Sequence, residues 1–317
     1  MRAKARAESA VDGVLIVDKP EGLTSFDVVR RLRSLGSGRK AGHTGTLDPT
    51  ATGVLPICLG QATKLSTFLL EGDKEYQGVV QLGVETDTYD AAGKVVSTQP
   101  TDHLEEEEVR RVVEGMAGTY WQTPPMYSAV KVGGQRLYEL ARKGLEVDRK
   151  PRKVTIHSIR MISFDPAASR LVLRLSCTKG TYVRSVAHEI GQALGVGAHL
   201  VSLQRLRNGP FHLDAAIPLA TLEKWMEEGE YEKIAERLIP LRDALSDFEE
   251  VRVDELRARK VLRGMALGYR DLLQSGAPRI AEGDLVRITG PGGRLLAVAE
   301  QREGALRYRR VFSTGGE

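Results

Sequence analysis

Gly42-His43-Thr44-Gly45-Thr46-Leu47-Asp48-Pro49-Thr50-Ala51-Thr52-Gly53 is the stretch on which the rest of the chain turns. Its glycines, threonines and proline suit neither a helix interior nor a central strand. It reads as a loop between an amphipathic segment and the apolar run Val54 to Leu59. Loops of this size between packed elements tend to carry function. Asp48 is its only carboxylate, and Pro49 biases it towards extended backbone. An Asp before Pro is by itself most often a turn former or a cap, so other stretches must decide whether this one is a site.

On the N-terminal side, Val14 to Val17 reads as a short strand stopped by Asp18-Lys19-Pro20-Glu21-Gly22. A helix starts near Thr24, with Asp27 completing an approximate capping box. Val28, Leu32 and Leu35 form its apolar stripe, with Arg30, Arg31 and Arg33 elsewhere, and Gly36-Ser37-Gly38 ends it. This Gly-x-Gly follows a helix instead of opening one after a strand, so it is no dinucleotide fingerprint, and no phosphate-binding GK[ST] loop is present.

On the C-terminal side, Gln61 to Leu70 reads as a short helix and Lys74 to Val84 as a strand, with Tyr76 by default a half-buried strand aromatic. Glu105 to Met116 is a helix whose acidic first turn suits the macrodipole. Pro124-Pro125-Met126-Tyr127-Ser128 is rigid punctuation. Ala129 to Arg152 then reads as a basic insertion that leaves the core, with a short helix near Arg136 to Arg142. Val154 to Ile162 and Leu171 to Cys177 read as paired strands.

Lys179 to Val186 is the second informative stretch. Thr181 is the expected N-cap, and Val186, Ile190 and Leu194 the buried stripe of the helix that follows. Arg184 then falls in the first turn, where a cation opposes the macrodipole. A carboxylate or phosphate partner would explain so poor a local position. His188-Glu189 is only half of HExxH, because residue 192 is Gln, and His188 reads as a surface histidine. His199 to Arg207 is a further strand, and acidic helices occupy roughly Leu219 to Leu245. The change of pattern sets a boundary near 248, giving units 1–247 and 248–317. In the second unit Asp284 to Thr289 and Arg294 to Ala299, joined by Gly290-Pro291-Gly292-Gly293, have a hairpin signature.

The chain has 317 residues, 41% hydrophobic and 28% charged, with two cysteines far apart in sequence. That composition fits a globular protein of a reducing cytosol and argues against a disulfide framework or a zinc site. The basic N-terminus is followed by no signal-peptide core, and no apolar run is long enough to span a bilayer. The net charge is +4, but unevenly spread: Lys131 to Lys153 holds eight Lys/Arg against three Asp/Glu, Thr221 to Glu250 four against ten, and Val251 to Glu317 thirteen against eight. Two basic zones around an acidic one suggest one side that faces a polyanion.

Four motifs taken together resemble the TruB family of bacterial tRNA pseudouridine synthases: Asp18-Lys19-Pro20-Glu21-Gly22-Leu23-Thr24-Ser25, Gly42 to Pro49, Lys74-Glu75-Tyr76, and Gly180-Thr181-Tyr182-Val183-Arg184-Ser185. They stand in the family's order between about Gly13 and Pro210. Thr50 departs from the leucine that often follows the family's Asp-Pro. The tail from about Val251 is similar, more weakly, to a PUA RNA-binding domain. The resemblance implies an α+β fold, a mixed but mainly antiparallel sheet flanked by helices, with an RNA-gripping insertion at about 129–152 and a small β-rich C-terminal unit. It implies isomerisation of uridine 55 in the T arm of tRNA by a cytoplasmic monomer without an obligate protein partner, with the acceptor end within reach of the C-terminal unit. It assigns the catalytic aspartate to Asp48, its ion-pairing arginine to Arg184, and substrate contacts to His43, Tyr76, Tyr182 and, through its backbone, Leu203.

Chemistry agrees with that assignment. Isomerisation breaks the C1′–N1 bond, turns the base and joins C5 to C1′. No electrons leave, so the reaction calls for no redox cofactor and no metal. Glycosidic cleavage builds positive charge on the sugar, which an ionised carboxylate stabilises or traps. Asp48 must therefore be ionised, and a charge partner such as Arg184 favours that form. Tyr76 can stack on uracil and present a phenol near the sugar. The target must leave its stack, and His43 is a suitable filler of the vacated space. Loop shape and phosphate contacts would select the RNA.

Overall fold

Val14 to Val17 form a strand that is covered on both sides. In β1 (Gly13–Lys19), Leu15 and Val17 enter one apolar cluster while Val14 and Ile16 enter another. Its sequence is therefore a continuous apolar run and not an alternation. The computed structural model describes residues 11–36, 38, 40–128, 130–141, 144–145, 147–268, 271 and 279–312. The basic N-terminal segment 1–10 and, within the expected insertion, residues 129, 142, 143 and 146 lie outside them, as does Ser37 of the Gly36-Ser37-Gly38 stop.

After β1, Thr24 caps α1 (Ser25–Leu32) through the expected box: Asp27 N–H donates to Thr24 Oγ1 at 3.1 Å, and Thr24 N–H to Asp27 Oδ2 at 3.1 Å. Next come β2 (Ala41–His43), β3 (Ala51–Leu59), α2 (Ser66–Leu69) behind a 3-10 turn, β4 (Lys74–Leu82), β5 (Val84–Thr86) and β6 (Val95–Thr98). They are followed by α3 (Glu106–Gly115), β7 (Gly118–Gln122), β8 (Lys131–Val132), β9 (Gln135–Arg136), α4 (Leu137–Ala141), β10 (Arg152–Asp165) and β11 (Arg170–Cys177). Then come α5 (Val183–Ala193), β12 (Ala198–Asn208), β13 (Phe211–His212), β14 (Ile217–Pro218), α6 (Leu219–Glu228) and α7 (Tyr231–Ala235). The chain closes with β15 (Glu249–Arg252), α8 (Glu255–Leu262), β16 (Leu285–Thr289), β17 (Leu295–Arg302) and β18 (Ala305–Val311).

One mixed sheet runs β14-β1-β3-β12-β4-β11-β10-β7, with β2 added to β3 and β13 to β12. Only β1/β14 and β3/β12 are parallel, so the fold is α+β with a mainly antiparallel sheet. One face carries the main core, in which α1, α3, α5 and α6 bury Val28, Val109, Ile190 and Leu222. A second sheet, β15-β16-β17-β18, has its own cluster around Val251, Val286 and Leu306. A third cluster joins the two: Leu245, Leu295, Val298 and Phe312 lie with Val14, Ile16, Val54 and Cys58 on the far face of β1 and β3.

Two readings need correction. The stretch Gly42 to Gly53 is not a loop throughout: its ends are β2 and the start of central β3, and only Thr44 to Thr50 is irregular. Gly53 sits inside a strand because β12 passes too close for a side chain. A Cβ there would lie 2.3 Å from the Arg205 carbonyl oxygen, and the residue has φ +97°. The strand expected over Lys74 to Val84 ends at Leu82, where Gly83, at φ +80°, turns the chain into β5.

Candidate active site

The irregular segment Thr44 to Thr50 is held almost wholly through its backbone. Ser25, first residue of α1, takes a hydrogen bond from Leu47 N–H at 2.8 Å and donates to Leu47 O at 3.1 Å. Lys19, fully buried, donates to the carbonyls of Pro20 (2.8 Å), Leu23 (2.7 Å) and Pro49 (3.3 Å). Gly22 N–H reaches Pro49 O at 2.8 Å. The Asp18-to-Ser25 motif is thus a clamp on the segment that carries Asp48. From the other side Arg205, 1% exposed, donates to Gly45 O (3.0 Å), Thr46 O (3.4 Å) and Val54 O (2.7 Å), and Asn208 Nδ2 donates to Thr44 O at 2.6 Å.

This frame leaves the Asp48 carboxylate half in solvent, with 42% of its side chain exposed. Its partner is Arg184, whose side chain is only 6% exposed and whose Nε lies 3.1 Å from Asp48 Oδ2. The other guanidinium nitrogens meet Asp90 Oδ2 at 3.1 Å, Thr88 O at 3.4 Å and Tyr127 O at 3.0 Å. Asp90 is itself held by Thr88 Oγ1 at 2.6 Å and Ala92 N–H at 3.1 Å. The helix position that disfavours a cation is therefore filled by an arginine satisfied on every side. Burial pulls the Lys19 ammonium down to about 8, opposed by the charge of Asp48. Lys19 is thus a second positive group whose field reaches Asp48.

Tyr76 is more enclosed than a half-buried strand aromatic. It is 8% exposed, and its phenol lies beside the Arg205 guanidinium. Burial, only partly offset by Arg205, raises its pKa, so the phenol stays protonated. His43, in β2, has a buried Nδ1 without a hydrogen-bond partner among the described residues. Burial, and then the charge of Arg205, lower its pKa and keep the ring neutral. Leu203 lies in β12 between Ala51 and Gly78, so its backbone pairs with the residue that directly follows the Asp48 segment, three positions after Asp48.

At the start of α5 the N-cap is Tyr182, not Thr181. Thr181 Oγ1 donates instead to Thr178 O at 2.9 Å, within the turn before the helix. His188 is also more engaged than expected: it stacks on Tyr89 with ring centroids 4.0 Å apart, and its Nδ1 lies 3.0 Å from Glu85 Oε1. Asp48, Arg184 and Tyr76 thus come together, through Arg205, at the junction of β3, β4, β12 and α5. Lys19, Asp90 and Arg205 were not singled out from sequence. None of the three stands out in the sequence: Arg205 lies in a strand that also carries Gln204 and Arg207. No group of three or more His, Cys, Asp or Glu among the described residues could hold a metal ion, and no described helix is long and apolar enough to cross a membrane.

Residues 33–183 match the model of the TruB family pseudouridylate synthase N-terminal domain, and residues 184–250 that of the tRNA pseudouridylate synthase B C-terminal domain. The chain belongs to the TruB family of pseudouridylate synthases. The two matched segments meet between Val183 and Arg184, so the Asp48–Arg184 pair bridges them. Among curated relatives, tRNA pseudouridine synthase B of Dechloromonas aromatica (strain RCB) is 45% identical over 287 residues, 90% of this chain and 94% of that one. The protein of the same name from Burkholderia mallei (strain NCTC 10247) is 44% identical over 309 residues, 98% of this chain and 99% of that one. Among solved structures, a Cbf5-Nop10-Gar1 complex contains a chain that superimposes with TM-score 0.75 at 28% identity, over 96% of this chain and 86% of its own. An H/ACA RNP bound to a substrate RNA containing 2′-deoxyuridine gives 0.72 at 26%, over 98% and 87%.

Proposed function

We propose that this pseudouridine synthase isomerises one uridine of tRNA, position 55 in the T arm, and that Asp48 acts on the ribose of that nucleotide after it is flipped out. The observation that carries the reading is the Asp48–Arg184 pair: a half-exposed carboxylate whose inner side rests on a buried guanidinium at 3.1 Å. That carboxylate is aimed outward from a segment fixed by its own backbone, which suits attack on an incoming group.

Three routes begin from that ionised carboxylate: attack on C1′, attack on C6, or removal of the 2′ hydrogen. In each the C1′–N1 bond breaks, the uracil turns, C5 joins C1′, and the C5 hydrogen leaves as a proton while N1 takes one up. Tyr76, beside Arg205, offers its ring as a platform for the turning base. His43, neutral, fills the space the base leaves without adding charge. Tyr182 and the Leu203 backbone complete the substrate contacts. The basic segment 129–152 and a C-terminal unit beginning near 248 grip the T arm and the acceptor end through phosphates. The protein works as a monomer, without a protein partner, in the cytoplasm.

The test is tritium release from a T-arm hairpin labelled at C5 of its uridines, using the purified chain alone. Release matching pseudouridine at position 55 is expected. Release only when a guide RNA and partner proteins are added would make this a guide-directed synthase. Hairpin binding without release would make it a tRNA-binding or folding protein.

A further inference from the structure

Helix α5 has no side-chain cap of its own. Its N-cap residue, Tyr182, is instead held through its backbone from another element. Gln122, the last residue of edge strand β7, is 1% exposed, while its neighbour Trp121 is 69% exposed on the opposite face. Gln122 Oε1 accepts from Tyr182 N–H at 2.8 Å, and its Nε2 donates to Tyr182 O at 3.3 Å and to Tyr120 OH at 3.2 Å. A primary amide can do both, since it carries an acceptor and donors on one planar group, as a neighbouring strand would. About two turns further along α5, Glu189 faces both Tyr120 and Gln122, which share one face of β7. Five residues after Gln122, across the rigid Pro124-Pro125, Tyr127 O accepts from Arg184 Nη2 at 3.0 Å. One segment therefore holds both the backbone from which Arg184 springs and the far end of its guanidinium.

We propose that Gln122 is a positioning residue for the isomerisation, fixing the first turn of α5 so that Arg184 Nε faces Asp48. It has no contact with the reacting atoms and acts only through that pair. The inference rests on the roles given above to Asp48 and Arg184. The reason it should matter is geometric: Arg184 must reach four acceptors at once, and a shift of its Cα by a fraction of an ångström would give up the Asp48 contact, the exposed one, first.

The experiment is a double-mutant cycle on full-length protein, read as single-turnover tritium release and as tRNA affinity by filter binding. Gln122→Met keeps the volume and removes both bonds to Tyr182. It is expected to slow the chemical step by about tenfold to a hundredfold, with tRNA affinity within about threefold of the parent. On an Arg184→Lys background the same change should cost less than about threefold, because the arginine it positions is gone. A rate within twofold of the parent, an equal loss on both backgrounds, or an equal loss of affinity would overturn the proposal, the last two being what a purely structural cap gives. Gln122→Asn, which keeps the amide one methylene short, is expected to fall between and replaces the Met variant should that one not fold. A parent chain without tritium release would instead overturn the functional reading itself, which separates the two failures.

Discussion

Arg184 meets four oxygen acceptors with three nitrogens, and only one of the four, Asp48, reaches solvent freely. Asp90, with an 11% exposed side chain, neutralises the buried guanidinium, and Asp48 then adds a second negative charge at the mouth of the site. The planar fork is what allows a single side chain to hold these partners in one geometry. Arg184→Lys keeps the charge but can serve one or two of them. We expect the single-turnover rate to fall about 10²-fold or more, while tRNA affinity stays within about threefold. A rate within twofold of the parent would remove the ion pair from the mechanism. A cation in a helix's first turn is a local misfit that pointed to a carboxylate or phosphate partner, and the family resemblance named Asp48 as that partner. Lys19, Asp90 and Gln122 had no such signal in the sequence. Lys19 and Gln122 act on main-chain groups, which have no residue-type signature, and Asp90 reaches Arg184 from 94 residues away in the chain.

β3 and β12 illustrate why one element was read correctly and its neighbour only in part. The strand expected over His199 to Arg207, with Leu200, Leu203 and Leu206 as its apolar members, is present as Ala198–Asn208. Ala51-Thr52-Gly53 does not read as a strand, since a glycine with positive φ weakens a strand pattern. Its reason appears only when β12 is beside it, with the Arg205 backbone in the space a side chain would take. The same parallel pairing lets Arg205 reach back to Gly45 and Thr46. Gly53→Ala therefore combines an unfavourable φ with a forced separation of the two strands. We expect a loss of at least about 2 kcal/mol, or about 4–8 °C in melting temperature, with a fall in turnover larger than stability alone explains, because the loop carrying Asp48 is displaced. Unchanged melting and turnover would show that β3 and β12 have room to part. The capping box of α1 was legible for the opposite reason: Thr24 and Asp27 act within one turn, where spacing alone determines contact.

Across the molecule, what binds and what reacts are separate. Charge is spread over basic zones, whereas the proposed chemistry rests on one carboxylate in a frame of backbone hydrogen bonds. Alternation and charge blocks revealed the two sheets and the acidic helices between them, since each is a property of many residues. They did not reveal that the back of β1 and β3 is shared, through Val14, Ile16 and Val54, with the C-terminal sheet. A long-range contact of this kind is not written in the local pattern of either partner. The division of labour gives the most direct measurement: Asp48→Asn, nearly the same shape without the charge, assayed side by side for tRNA binding and for tritium release from 5-³H-uridine tRNA. Affinity within about threefold of the parent with release lowered at least about 10³-fold is the predicted result. Release at the parent rate, or release and binding lost together, would contradict it.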